Sequence, residues 1–273
     1  MEKLKALKHI PPDNRSVALN NDTGMLKLLA CLLMLSDHMG KMIFPNAFVL
    51  SATGALSFLV PKINIMRAFG RLAMPMFAYC IAVGCAKTRN IWKYALRLFV
   101  MAVLVHPLYQ AAMGHVAIGA YDWARGFYKL GAIYEHYYSS NLNILFTLTL
   151  GTLIIGCFRA RAYAPMALCV LLTWIMASRI DYGYKGVVLI VLFYAFLDRP
   201  LASFVSVFLF MWYWAMPNFF TSGSTHTGSQ IYAILSLAFI YLPVKKRRVR
   251  LPKWFFYGFY PAHLLLIYVL QII

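Results

Sequence analysis

An all-α polytopic membrane bundle is the fold class this sequence predicts, and three observations carry that expectation. The chain of 273 residues is 62% hydrophobic and only 12% charged, whereas a soluble domain is about 45–50% apolar and about 25% charged. Its mean hydropathy is +0.68. Its Lys and Arg residues stand in short stretches between long apolar runs, the pattern by which membrane proteins set their topology. The net charge of +18 is therefore read as topology control, and no nucleic-acid partner is expected.

Taken in order, residues 1–24 read as a basic cytoplasmic tail carrying Lys3, Lys5, Lys8 and Arg15, and residues 25–273 as one integral membrane domain. No cleavable signal peptide is expected, because the first apolar run lacks a small-residue cleavage site. About nine spans are expected, at 25–45, 68–86, 93–113, 141–158, 162–178, 186–197, 201–217, 230–243 and 254–273. The apolar run 47–60 is short for a span and is expected to be re-entrant or interfacial. A long aromatic and polar loop, 114–140, contains Glu135 and His136. An uncharged loop, 218–229, precedes the eighth span, and the charge block Lys245 to Lys253 precedes the ninth. With the N-terminus inside and 47–60 not crossing, eighteen of the 26 Lys and Arg residues fall inside. The expected topology is N-in and C-out, in the cell inner (plasma) membrane. The five cysteines lie within apolar runs and are read as small apolar residues, with no metal site expected.

Ionisable groups within apolar runs are costly and usually face a protein interior. The first span carries three: Lys27, Asp37 and His38. Lys27 and His38 are eleven residues apart, so on an α-helix they differ by only about 20° around the axis and about 16 Å along it. They share a face, while Asp37 is turned about 100° away from His38. Arg71 begins the second span and is a partner for Asp37. His106 lies at a depth in the third span like that of His38 in the first, and His263 lies near the middle of the ninth. Asn143 opens the fourth span, and Asp181, Tyr182, Tyr184 and Lys185 lie at the outer end of the fifth and sixth. Each has a plain structural alternative. His106 suits a hydrogen-bonded packing role, Asp37 with Arg71 a structural ion pair, and Lys27 a snorkelling cation at the interface. The block Lys245 to Lys253 suits a topological anchor that also meets anionic lipid.

Six segments carry a resemblance. They are Lys27 to His38, ending Ser-Asp-His; Gly70-Arg-Leu-Ala-Met-Pro-Met-Phe-Ala-Tyr79; Lys87-Thr-Arg-Asn90; Asn143-Ile-Leu-Phe-Thr147; Asp181-Tyr-Gly-Tyr-Lys-Gly186; and Phe259-Tyr-Pro-Ala-His-Leu264. In this order, across residues 25–273, they resemble the TraX family of membrane N-acetyltransferases, named for acetylation of conjugative pilin. The spacing of Lys27 and His38 is also similar to the Arg/Lys-x10-His pattern of acyltransferase-3-like membrane enzymes. The resemblance implies a membrane acetyl (acyl) transferase whose donor is cytosolic acetyl-CoA. The acceptor is an amine in or across the membrane, such as a peptide N-terminus or amino sugar, or a hydroxyl. On that reading Lys27, Lys87, Arg89, Lys93 and Arg97 form a basic mouth for the phosphates of coenzyme A. His38 acts as general base or carries the acetyl group transiently, with His263 as the alternative base. Asp37 orients a partner, and Arg71 or Asn143 stabilises the oxyanion. His106, Asp181 and Tyr184 complete the acceptor pocket. Membrane lipid is the remaining partner. Two other classes stay open: a proton-coupled transporter with Asp37, His38 and Asp181 as relay, and a structural, partner-binding subunit.

Overall fold

The computed structural model describes residues 17, 23–50, 62–114, 141–216, 228–242 and 252–273. Most of the basic tail, all of the loop 114–140 after Gly114, most of the loop 218–229 and the charge block up to residue 251 lie outside the described residues.

The described chain is almost wholly helical. Its helices are α1 (Thr23–Met42), α2 (Ile65–Gly70), α3 (Ala73–Lys87), α4 (Ile91–Ala112) and α5 (Ile144–Arg159). They continue with α6 (Tyr163–Ile175), α7 (Gly183–Ala195), α8 (Pro200–Ala215), a 3-10 helix (Ser229–Leu235), α9 (Ser236–Tyr241) and α10 (Lys253–Ile272). Strands β1 (Val49–Leu50) and β2 (Ile63–Asn64) pair antiparallel, Val49 opposite Asn64.

Local chemistry sets these boundaries. Asn90 and Asn143 cap α4 and α5 by accepting from the backbone N–H of Lys93 and Leu145, satisfying donors that a helix start leaves without intrahelical partners. Pro200 opens α8, and Pro75 lies in the first turn of α3, where the missing N–H costs nothing.

Three stretches among the described residues are long and apolar enough to cross a membrane: Ile65–Lys87, Ile91–Ala112 and Trp254–Ile272. Helix α1 has 20 residues but is not among the three, because Lys27, Asp37 and His38 lower its mean hydropathy. The second expected span, 68–86, lies within Ile65–Lys87, where a turn at Arg71 and Leu72 joins α2 to α3. The expected eighth span is a 3-10 helix followed by six residues of α-helix. For the run 47–60, the described residues 49–50 are extended and paired with β2, and residues 51–60 lie outside the described residues. Large apolar side chains cover the outside of several helices. On α6 Leu168, Val170, Leu171, Trp174 and Ile175 are all exposed, and Thr173 is its one buried residue. In water such a surface would be costly, whereas a bilayer accepts it.

The chain forms two compact units. The first comprises Cys85–Val191 and Lys253–Ile273 among its described parts, the second Asn14–Gly84 and Leu192–Pro252. In the first, Leu142, Ile154, Ile180 and Val187 form a buried cluster with Phe146, Leu150 and Met166 against it. In the second, the Tyr79 and Phe193 rings meet edge to face at 5.5 Å, and the hydroxyls of Ser203 and Tyr241 are 2.6 Å apart.

Glycine sets one helix approach in the second unit. A Cβ on Gly70 would collide with the Asp37 side chain and stand 2.7 Å from the Asp37 Cα. A backbone atom cannot swing aside, so α1 and α2 touch here only because residue 70 is glycine. Gly70→Ala is expected to destabilise the protein by about 1–3 kcal/mol, read from denaturant unfolding in detergent. Gly258→Ala, where a Cβ meets nothing within 4 Å, is the control and is expected to be neutral or slightly stabilising.

Candidate functional site

The second unit carries the first polar cluster. Arg71 Nη2 donates to Asp37 Oδ1 at 3.1 Å and lies 3.5 Å from Oδ2. Arg67 Nε stands 3.8 Å from the same Oδ1. The Asp37 and Arg71 side chains are only 13% and 12% exposed, while that of Arg67 is 37% exposed. The expected pairing of Asp37 with Arg71 is thus present, and a second arginine joins it. Arg67 is one helical turn before Arg71, the spacing that places two side chains on one face, and that is the signal that could have found it.

The corner that holds this cluster is tied by polar contacts. Asn64 Nδ2 donates to the carbonyls of Phe44 and Ala47 at 2.5 and 2.7 Å. Its Oδ1 accepts from the Met66 N–H at 2.8 Å and caps α2. Ser36 Oγ donates to the Met66 carbonyl at 3.1 Å. His38 is half-buried on α1, and the unbroken helix from Lys27 to His38 keeps the shared-face geometry. Lys27 lies within electrostatic range of Cys31 and Cys80.

The first unit carries a second polar cluster, fully buried. His106, Gln110 and Asn143 are each 0% exposed. Gln110 Nε2 is 3.0 Å from His106 Nε2 and donates to the Asn141 carbonyl at 2.7 Å. Asn143 Nδ2 donates to the Ala102 carbonyl at 2.9 Å and is 3.4 Å from His106 Nδ1. Each amide's orientation follows from its other partners. A carbonyl must receive from an NH2, and the Asn143 Oδ1 receives from the Leu145 N–H. Both amides therefore turn their NH2 groups towards the His106 ring, but a neutral imidazole has one acceptor nitrogen, and the closer contact assigns it to Nε2, which accepts from Gln110. Pro107 in the same turn removes a backbone N–H from α4. Gln110 was not anticipated, although it lies four residues after His106.

Backbone contacts bring Asp181 to the start of α5. Leu142 and Ile180 form a parallel bridge, the Asp181 N–H donates to the Leu142 carbonyl at 3.0 Å, and Thr147 Oγ1 donates to the Asp181 carbonyl at 2.5 Å. Tyr184 packs on the exposed Trp174, ring centroids 5.5 Å apart. His263 is 3% exposed, and its Nδ1 is 3.0 Å from the Phe259 carbonyl. A carbonyl only accepts, so Nδ1 carries the proton and Nε2 is the basic nitrogen.

Lys87, Arg89, Lys93 and Arg97 are exposed around the turn between α3 and α4, and all four lie in the first unit. Two more cations join that end. Arg159 Nη1 donates to the Cys85 carbonyl at 2.6 Å, and Arg161 follows it. The packing of Trp92 on Gly156 places the start of α4 against the end of α5. His106 is thirteen residues past Lys93, about 20 Å along α4, so the unit has a basic end and a polar buried end. Lys27, assigned to the same mouth from sequence, belongs to the other unit.

His106→Leu is expected to cost about 1–3 kcal/mol, because the Gln110 N–H then loses its buried acceptor. Thermal unfolding followed by tryptophan fluorescence checks this. His106→Gln, which restores an acceptor, is expected to recover part of the loss.

Apolar helices with exposed hydrocarbon faces around buried polar clusters define a helical protein of membrane type. Residues 22–271 match a family model described as TraX protein, and the chain belongs to the TraX family. Over 164 residues it is 23% identical to the probable fimbrial assembly protein FimC, serogroup H1, of Dichelobacter nodosus. That match covers 60% of this chain and 57% of the relative's length. No solved structure matches.

Proposed function

We propose that this chain is a multi-pass membrane acetyltransferase of the bacterial inner membrane. It moves an acetyl group from cytosolic acetyl-CoA to an amine acceptor in or across the membrane, and a peptide N-terminus is the acceptor class we favour. One observation carries the reading: Lys27 and His38 lie on one face of an unbroken helix, about 16 Å apart, with His38 next to a carboxylate clamped by two arginines. A cation at one end of such a face suits the phosphates of coenzyme A, and a base at the other suits the acceptor. Membership of the TraX family and the likeness to a fimbrial assembly protein support a role with pilus subunits, whose N-termini are peptide amines.

In this mechanism His38, or His263 through its basic Nε2, takes the proton from the attacking amine. The amine nitrogen bonds to the acetyl carbonyl carbon, and the thioester C–S bond breaks. The sulfur leaves as coenzyme A thiol after gaining a proton, and Arg71 or Asn143 stabilises the developing oxyanion. Lys27 in the second unit, or the basic end formed by Lys87, Arg89, Lys93 and Arg97 in the first, offers the donor its phosphate contacts.

The test is direct. The purified chain in lipid nanodiscs receives labelled acetyl-CoA and a set of peptides with free N-termini, amino sugars and alcohols. The expected result is acceptor-dependent release of coenzyme A and a labelled amide. Release that is absent with every acceptor overturns the proposal. If liposomes then show pH-coupled solute flux without acetyl-CoA, the carrier reading with Asp37, His38 and Asp181 takes its place.

A further inference from the structure

The corner between α1 and α2 has a charge excess, of which the transfer mechanism uses only Arg71. Among the described residues of this segment, Lys41, Lys62, Arg67 and Arg71 stand against one carboxylate, Asp37. Arg71 is committed to Asp37. Lys41 and Lys62 are exposed. Arg67 is partly exposed, with its Nε buried 3.8 Å from Asp37 Oδ1. The corner is therefore cationic towards its surroundings.

A second observation is independent of charge. Three aromatic rings stand outward at the same corner: Phe44, Phe48 and Phe69 are 41%, 71% and 54% exposed. Phe48 has a φ of 53°, in the left-handed region that a bulky residue rarely adopts. The backbone there is held by the Ile65 N–H, which donates to the Phe48 carbonyl at 2.9 Å. Exposed phenyl rings beside exposed cations suit the boundary between headgroups and acyl chains, where cations meet phosphate and rings meet hydrocarbon.

We infer that this corner binds an anionic phospholipid, its phosphate held by Arg67, Lys41 and Lys62 and its glycerol and upper acyl chains against Phe44, Phe48 and Phe69. The positive excess selects an anionic lipid over a zwitterionic one, whose own cation would face these residues. The surrounding backbone is rigid through Asn64, so the lipid meets a formed site. Lys41 lies three residues past His38, so this surface adjoins the Lys27–His38 face, and the inference stands whether or not the chain transfers acetyl groups.

The full chain is extracted from bilayers of equal parts phosphatidylglycerol and phosphatidylcholine, and retained lipid is read by native mass spectrometry. A single Lys or Arg near an anionic surface strengthens attraction roughly fivefold, so retained phosphatidylglycerol is expected to exceed phosphatidylcholine by at least that factor. Lys41→Gln/Lys62→Gln/Arg67→Gln is expected to bring the ratio close to one. Lys87→Gln/Arg89→Gln, at a different basic end, is expected to keep it. Phe48→Gly relieves the strained φ and keeps every charge, so it does not depend on the triple variant folding. It is expected to lower retained phosphatidylglycerol severalfold. Equal retention of the two lipids by the unaltered chain overturns the inference. So does a triple variant that keeps the preference, a Lys87→Gln/Arg89→Gln variant that loses it equally, or unchanged retention by Phe48→Gly.

Discussion

Asp37→Ala is expected to destabilise the protein by about 3–5 kcal/mol, the largest single loss from a side chain in the second unit. The carboxylate is 13% exposed and its partner Arg71 12% exposed. Removing the carboxylate leaves a guanidinium largely away from water with its counter-charge gone. Arg67 reaches solvent more easily and relaxes outward, so the penalty falls mainly on Arg71. Attraction and desolvation nearly cancel in a buried pair, so removing both partners costs less than removing one. Asp37→Ala with Arg71→Met is therefore expected to recover most of the loss. Denaturant unfolding in detergent micelles, read by tryptophan fluorescence, measures both. A double variant as unstable as the single would mean that the pair is not the source of the effect.

His38→Ala is the second large effect, and it falls on rate. Under the proposed transfer, loss of a general base lowers turnover by about 10²–10⁴-fold. His38 is half-buried and neighbours the ion pair without replacing it, so the unfolding midpoint is expected to stay near that of the parent chain. The contrast separates the two neighbours, since Asp37→Ala lowers stability and His38→Ala lowers rate. Single-turnover acetylation of a peptide amine is the measurement. Full turnover by His38→Ala moves the base to His263, whose Nε2 is the basic nitrogen by its bond to the Phe259 carbonyl. In that case His263→Ala carries the loss.

These two residues show how far the site was readable along the chain. The expensive residues of the first apolar run were identifiable because a charge in an apolar run stands out by itself. The pairing of Asp37 with Arg71 was also anticipated from similar depth. Arg67 was passed over as one loop cation among many, and Gln110 because a lone amide in an apolar run carries no charge. Each lies four residues from a residue that was singled out. Whether a side chain one turn away joins a network depends on the rotation of its helix against its neighbours, which the chain order does not state.

The positions of the helices were determined by the sequence alone. Apolar run length, asparagine caps before α4 and α5 and proline at the start of α8 are local features, and local hydrogen bonding and solvation suffice to act on them. Tertiary structure alone decided what those helices become. It placed a turn at Arg71 within the second expected span, drew Val49 and Leu50 into a strand with Ile63 and Asn64, and wound Ser229–Leu235 as a 3-10 helix. It also decided that Asp37 meets two arginines. The reason is geometric: residues 34 positions apart meet only where Gly70 lets two backbones approach to a distance that any side chain would forbid.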